Sequence, residues 1–584
     1  MSIFNVLSLI GGLSLFLFGM NVMGAALERR AGSKLKHFLE VLTASKMKGF
    51  LLGLGVTAVI QSSSATTVMV VGFVNSGIMT LKQAINIIMG ANVGTTVTAW
   101  ILSLTGIESG NFLVQMLKPS SFTPILALIG IILYMFVKDS KKKDTGTILL
   151  GFAVLMFGME TMSSAVEPLA EVDEFRNILL MFSNPIFGVL AGAVITGIIQ
   201  SSSASVGILQ ALSATGQVTM GTAIPIIMGQ NIGTCVTALL SSTGTTKNAK
   251  RAAFVHLYFN IVGTVVVMIA FYGLNAIFHF PIVNMQATEL SIAIAHTSFN
   301  VICTCLLLPF SGLLEKLAYA TVRGEDNEED IEPLDERLLA TPSIALEQCR
   351  LTVCDMALLS QEALENAIKM LDGYDEKTAA MVREAESRVD RYEDMLGSYI
   401  IQLAAKDMSE EDNNESMKLL HVIGDLERIS DHAVNILEVA EEMRDKQITF
   451  SGKAKKELSV LCAAVREIVD MAVKVCEKES LELAADIEPL EEVIDAMHDK
   501  LRLRHTKRLQ DGECTVELGF VYSDLLIDLE RIADHCSNIG GCEIEMEEGL
   551  SDVHQYLKGV RDKNNEKFED KCREYKQKYQ LQSL

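Results

Sequence analysis

The feature that restricts this chain most is an internal duplication kept in register across apolar sequence. "VIQSSSATTV" at residues 59–68 returns as "IIQSSSASVG" at 198–207. One shift of 139 residues carries Gln61 onto Gln200, Thr57 onto Thr196, Gly19 and Met20 onto Gly158 and Met159, and "IIMGANVGTTVTA" (87–99) onto "IIMGQNIGTCVTA" (226–238), without a gap. Apolar helices match by chance at Leu and Val. Here the shared residues are Gln, Ser, Asn, Thr and Gly, so one unit has been repeated. Any fold must place two equivalent clusters of hydroxyl and amide groups inside otherwise apolar sequence.

That sequence is long enough for lipid. "NVLSLIGGLSLFLFGMNVMGAAL" and "AAFVHLYFNIVGTVVVMIAFYGL" reach the roughly 20 residues that cross a bilayer, and nothing after residue 343 does. Charge divides the chain at the same place. Residues 1–320 hold 17 Lys+Arg against 12 Asp+Glu, so the total of −23 leaves −28 on the remainder. The expectation is a membrane domain over 1–320 with repeats of about 1–140 and 141–320, a linker over 321–342, and a soluble domain over 343–584. The opening apolar run lacks a basic leader and a cleavage site, so it is predicted as a first spanning helix. The 11 cysteines are odd in number and scattered, which predicts free thiols in a reducing compartment. No zinc-ligand spacing or phosphate-cradling loop is found, which argues against ATP-driven work, and nothing calls for nucleic acid.

Loop charges predict how the copies lie. Residues 28–48 carry Arg29, Arg30, Lys34, Lys36, Lys46 and Lys48 against Glu28 and Glu40, whereas the equivalent 167–187 carry Glu167, Glu171, Asp173 and Glu174 against Arg176. Short basic loops stay in the cytoplasm. Matched loops of opposite sign therefore lie on opposite sides, an inverted repeat. "KDSKKKD" (138–144) and "KNAKR" (247–251) fit an outside N-terminus, and an extra helix near 290–309 returns the chain inside, making the acidic domain cytoplasmic.

Around each QSSS the apolar arms are too short to span. "GFLLGLGVTAVI" and "ATTVMVVGFV" suit a re-entrant helical hairpin whose polar tip lies near mid-membrane, where irregular backbone must face protein or a cavity. Serine and glutamine both donate and accept, so Gln61, Ser62, Ser63, Ser64, Gln200, Ser201, Ser202 and Ser203 can hold an oxyanion or a small cation. A lone intramembrane serine is usually helix glue; four polar residues in a row, twice, are not. Asn92, Thr95, Asn231 and Thr234, in "NVGTT" and "NIGTC", are weaker second contributors, and the glycines there read equally well as packing contacts.

Gly188 to Thr246 contains no charged residue and Gly49 to Ser103 only Lys82. An anion entering such a site meets dipoles but no fixed cation, so a mobile cation must accompany it. Glu160, His256 and His296 are the few groups suited to proton coupling. Both histidines, in "HLYFN" and "HTSFN", are read as packed, hydrogen-bonded helix residues, which leaves sodium.

At these residues residues 1–320 resemble the sodium-dependent phosphate cotransporters of the type II family, whose inverted repeats each carry QSSS. The resemblance implies phosphate and sodium at the QSSS positions and Thr66. The second copy reads "QSSSASV" against "QSSSATT", so the role of Thr66 is not carried to Val206.

After the charged run "RGEDNEEDIEPLDER" (323–337), apolar residues recur at three and four places with no strand alternation, which predicts a helical bundle. It too is duplicated: "DLERISDHAVNI" (425–436) matches "DLERIADHCSNI" (528–539), and "ESRVD" and "EVID" precede them. Acidic residues four apart share a helix face, so Glu386 with Asp390, Glu427 with Asp431, Glu491 with Asp495 and Glu530 with Asp534 form four pairs able to hold a divalent or transition metal, with Arg428 and Arg531 easing the repulsion. A solvated acidic face is the alternative. These strings, over about 343–550, resemble the phosphate-uptake regulator (PhoU) family, two three-helix bundles with metal-binding E-xxx-D motifs, and imply regulation; the tail from Gly549 fits less clearly.

The fold expected is all-α: a polytopic membrane domain of two inverted repeats with re-entrant QSSS hairpins, then a cytoplasmic PhoU-like double three-helix bundle. The function expected is sodium-coupled transport of inorganic phosphate across the cytoplasmic membrane. Another oxyanion or a dicarboxylate, and a non-transporting sensor, remain alternatives. The serines lack a base with an orienting acid, which argues against an enzyme. A homo-oligomer or a cytoplasmic regulatory partner is compatible with the chain.

Overall fold

A computed structural model describes residues 3–581 apart from 41–44, 76, 78, 107–117, 173–176, 178, 180, 325–333, 407 and 549–565. Asp173, Glu174 and Arg176 of the acidic loop, most of the charged linker run and the start of the tail at Gly549 lie outside the described residues. Among these residues the chain is helical, with one isolated antiparallel bridge between Thr219 and Gln286. It forms two compact units, Met1–Ile344 and Ala345–Leu584.

The first unit contains α1 (Ile3–Glu40), α2 (Lys46–Ile60), α3 (Ser63–Asn75), α4 (Leu81–Gly94), α5 (Thr96–Ser103) and α6 (Pro119–Phe136). The second copy follows as α7 (Ser140–Val166), α8 (Pro185–Ile199), α9 (Ser202–Ser213), α10 (Met220–Ser241) and α11 (Lys247–Phe278), with α12 (Glu289–Leu307) and α13 (Ser311–Thr321) beyond it. Six described segments are long and apolar enough to cross a membrane: Ile3–Arg30, Leu81–Gly106, Ser140–Glu171, Met220–Ser241, Lys247–Phe278 and Glu289–Leu307. With the paired short helices between them they make this a multi-pass membrane protein.

Glycine sets how closely the matched elements approach. The opening helices of the two copies, α1 and α7, meet where a Cβ on Gly12 would lie 3.0 Å from the Gly158 carbonyl and one on Gly158 would lie 2.7 Å from the Gly12 carbonyl. Within each copy the first short helix packs on the following long one in the same way. A methyl on Gly53 or Gly90 would strike the carbonyl of Ile87 or Phe50, and one on Gly192 or Gly229 that of Ile226 or Val189. Small residues let backbones touch, the main source of helix cohesion where surrounding lipid is as apolar as the helices. Gly94 and Gly233, the glycines of "NVGTT" and "NIGTC", belong to this seam, against the Leu54 and Ala193 carbonyls, so they are packing contacts.

The second unit holds α14 (Pro342–Met370), α15 (Glu376–Ala404), α16 (Glu410–Asp445), α17 (Gly452–Lys478), α18 (Leu481–Gln510), α19 (Val516–Glu548) and α20 (Glu566–Lys578), α14 beginning just ahead of the division. Asp375, Ser409, Ser451 and Ser480 cap the N-termini of α15 to α18 by accepting backbone N–H bonds. The repeated strings lie on α16 and α19 and clasp one another. His432 Nδ1 and Asn435 Nδ2 lie 2.8 and 3.1 Å from Asp528 Oδ1, and His535 Nδ1 and Asn538 Nδ2 lie 2.8 and 3.1 Å from Asp425 Oδ1. Each half thus supplies the acid that holds the other half's histidine. All 11 cysteines are free thiols.

Candidate functional site

QSSS is the break between two short helices in both copies. α2 ends at Gln61 (φ 60°, ψ 21°) and α8 at Gln200 (φ 58°, ψ 22°), left-handed conformations that cost a residue with a Cβ about 1–2 kcal/mol. The same strain at both matched positions marks a built turn. Each Gln N–H still closes the preceding helix, onto Thr57 O at 2.8 Å and Thr196 O at 2.7 Å. The chain then starts a new helix, whose N-terminus brings free N–H groups and positive partial charge to the tip.

The serines divide their work. Ser62 and Ser201 hydroxyls accept from Ala65 N (3.1 Å) and Ala204 N (3.2 Å) and so cap α3 and α9. Ser63, Ser202 and Ser203 are buried and their hydroxyls carry no hydrogen bond among the described residues, free to turn to a ligand. Ser64 Oγ lies 3.4 Å from the Gln200 carbonyl oxygen, so the two tips meet. Asn92 and Thr95 bond the Ile88 and Ala91 carbonyls at 2.8 and 3.0 Å, and Asn231 and Thr234 bond the Ile227 and Gln230 carbonyls at 2.9 and 2.9 Å. Asn92 lies on α4, Thr95 at its C-terminal cap and Asn231 and Thr234 on α10, and what capacity they retain is in their oxygen lone pairs.

Thr66 requires a correction. Its counterpart under the 139-residue shift is Ser205; Val206 matches Thr67. The structure uses the pair identically: Thr57 Oγ1 donates to Thr66 Oγ1 at 3.0 Å, and Thr196 Oγ1 donates to Ser205 Oγ at 2.8 Å, each joining the two arms of its hairpin. The copies differ elsewhere. Gln61 is buried and accepts from Thr98 Oγ1 at 2.9 Å, whereas Gln200 is exposed and the hydroxyl of Thr237, the counterpart of Thr98, is buried without a partner.

A third polar layer was only half visible in the sequence. The "HxxFN" strings extend to threonine, giving His256, Asn260 and Thr264 on α11 and His296, Asn300 and Thr304 on α12, stripes with a four-residue step. All six are at most 4% exposed. The expected hydrogen-bonded packing of the histidines is not found: both ring nitrogens of His256 and His296 lack partners, as do Asn260 Oδ1, Asn300 Oδ1 and the two threonine hydroxyls. Asn260 Nδ2 reaches Asn92 Oδ1 at 3.4 Å and Cys235 Sγ at 3.2 Å, which ties the first stripe to the "NVGTT" and "NIGTC" helices. Buried polar atoms are usually paired within the protein, so this concentration sets the layer apart from ordinary helix packing.

In the second unit, Glu386, Asp390 and Asp431 come together, one oxygen of each within 4.8 Å of the others. Burial first, and neighbouring carboxylates second, hold Glu386 and Asp390 above the usual carboxylate range. Glu427 is raised likewise, by burial and then by Asp431, and Arg428 sits 3.4 Å from it and 3.7 Å from Asp431. Such a set of hard oxygen donors fits a divalent cation. Glu491, Asp495, Glu530 and Asp534 do not close into an equivalent group, although burial and Asp534 raise Glu530, and Arg531 lies 3.2 Å from Asp534.

Comparison with known proteins bears on both units. The Na+/Pi-cotransporter family model matches residues 15–164 and 154–285, one match per copy, and the PhoU domain model matches 353–440 and 458–542. A protein of Salmonella typhimurium named for inorganic phosphate export, YjbB, is 24% identical over 90% of this chain and 95% of its own length. Bacillus subtilis YqeW is 31% identical over 53% of this chain and 95% of its own. A PhoU homolog of Thermotoga maritima is 30% identical over 36% of this chain and 89% of its own. The crystal structure of PhoU from Pseudomonas aeruginosa aligns with 35% of this chain and 98% of its own, at 21% identity and a TM-score of 0.34. A duplicated membrane unit built on paired QSSS tips and a duplicated helical unit after it thus coincide with two matched families, and the chain belongs to the Na+/Pi-cotransporter family, a phosphate-transport family, with a C-terminal PhoU region.

Proposed function

We propose that the chain moves inorganic phosphate together with sodium through a site made where the two QSSS tips meet, by exposing that site alternately to the two sides of the membrane. The observation that carries this reading is the approach of Ser64 to the Gln200 backbone, which brings both tips to one place. Donors come from Ser63, Ser202, Ser203 and the N-termini of α3 and α9. Acceptors come from the oxygens of Asn92, Thr95, Asn231 and Thr234 and from Asn260, whose amide reaches Asn92. Both kinds of neutral group are needed if an oxyanion and a small cation are to share one charge-free cavity. The difference between the copies, with Gln61 clasped by Thr98 and Gln200 released from Thr237, is what one state of such a cycle would look like.

The loop charges support an outside N-terminus, inverted copies and a cytoplasmic C-terminal domain, which tunes transport and holds a divalent cation at Glu386, Asp390 and Asp431 with Glu427 beside them. Direction follows the imposed gradients; export is the second reading, because a relative named for phosphate export covers 90% of this chain. The test is radiolabelled phosphate flux in proteoliposomes under a sodium gradient of either sign, with sulfate and succinate as competitors. Flux that ignores sodium and collapses with a proton gradient overturns sodium coupling, and equal competition by sulfate or succinate overturns phosphate selectivity.

A further inference from the structure

The internal repeat of the C-terminal unit provides its own control. The register that pairs Glu386 with Glu491 also pairs Ile400 with His505 and Leu403 with Arg508; the register that pairs Asp425 with Asp528 pairs Leu419 with Tyr522. In the first half Ile400, Leu403 and Leu419 are buried and make an ordinary apolar layer. The second half buries His505, Arg508 and Tyr522 at the same places, 6%, 7% and 0% exposed. The fold does not need polar groups here, as the first half demonstrates, and burying them is costly.

Part of this cluster is satisfied internally. Arg508 Nη1 lies 2.6 Å from Glu457, Arg504 lies 2.7 Å from the same carboxylate, and the His505 and Tyr522 rings stack with centroids 4.5 Å apart. Both ring nitrogens of His505 and the Tyr522 hydroxyl are shielded from solvent and make no well-aligned hydrogen bond, with the Gly519 backbone beside the ring and Arg508 beside the hydroxyl. Burial, then the Arg508 charge, lowers the affinity of His505 for a proton, so the ring is a neutral donor and acceptor.

Over His505 opens a cavity of about 220 Å³ between the end of α18 and the start of α19. Arg502, His505, Thr506 and Ser523 line it with polar groups, and Phe520 and Leu526 are among its apolar walls. Two apolar residues at its rim, Val516 and Phe520, are 71% and 68% exposed, an arrangement suited to gripping an apolar body. The cavity lies wholly in the C-terminal unit and owes nothing to the QSSS site.

We propose that this pocket binds a small organic anion, a phosphate monoester or a carboxylate, whose charged group is received by Arg502, Thr506 and Ser523 above the buried His505 ring and whose apolar body rests on Phe520 and Leu526. Its size and apolar wall favour a ligand larger than inorganic phosphate. The experiment uses the full chain with Trp100→Phe and Phe520→Trp, so that fluorescence reports only this rim, titrated with phenyl phosphate and with benzoate. A saturable response to either is expected, weakened roughly tenfold by Arg502→Gln, which removes a charge-assisted hydrogen bond, and weakened also by His505→Ile, which replaces the polar ring under the pocket. Which probe responds tells phosphate ester from carboxylate. His505→Ile installs the residue of the first half, and Arg502→Gln alters a surface position, so neither loss can be put down to misfolding if the thermal melt is unchanged. No saturable response to either probe, or a response equal in both variants, overturns the proposal.

Discussion

Ser205 shows what a single residue contributes here and how easily it is overlooked. Its hydroxyl joins α9 to α8 through Thr196 as Thr66 joins α3 to α2 through Thr57. Ser205→Ala should lower stability by about 1 kcal/mol, the net worth of one buried hydrogen bond, and slow phosphate flux, whereas Ser205→Thr, which installs the first copy's residue, should do neither. Thermal melts and flux assays check both. The position was legible, because the register fixes it, yet comparing whole motifs rather than single positions sets Thr66 against Val206. The missing partners of His256 and His296 were not legible: a histidine on an apolar helix face looks the same in sequence whether or not a neighbour completes it. Thr98 and Thr237 illustrate the same limit. Thr98→Val should lower stability by about 1 kcal/mol, because it removes the bond to Gln61, while Thr237→Val, which removes no existing bond, should leave the melt unchanged; both should slow flux if the two clasps alternate.

The hairpin is the element on which the account turns. Its arms were legible from their length and its tip from its polarity, but the division of labour among the serines required coordinates, since capping depends on where the second helix begins. Ser62→Ala and Ser201→Ala should each cost about 1 kcal/mol of stability by uncapping α3 or α9, while Ser63→Ala and Ser202→Ala should leave the melt unaltered and act on substrate affinity. In the C-terminal unit the corresponding element is the α15–α16 face. Glu386 and Asp390 titrate above their unfolded range, so between the two ranges the folded state binds more protons than the unfolded. Stability therefore falls as pH rises through that window and a cation should restore it. In chelated protein, melts should decline across the carboxylate range toward neutrality, Asp431→Asn should flatten the decline, and added divalent metal should reverse it. The four acidic pairs were legible by spacing. That only one set closes into a three-carboxylate group was not, because spacing places residues on a face and packing decides which faces meet.

At the scale of the molecule, two duplications have been joined in one chain, each making a composite from copies that are incomplete alone. The membrane unit brings both QSSS tips together, and the C-terminal unit crosses Asp425 to His535 and Asp528 to His432. The shared logic was legible as two internal repeats. The contacts that complete each composite come from distant sequence and needed the fold. The most direct measurement is sodium-gradient-driven phosphate flux in proteoliposomes for the intact chain, Ser63→Ala, Ser202→Ala and the double variant. A single composite site predicts that either substitution alone raises the phosphate concentration for half-maximal flux roughly tenfold, by removing a hydrogen bond to charge, with the melting temperature unchanged. Unaltered flux in both single variants, or loss confined to one copy, would contradict it.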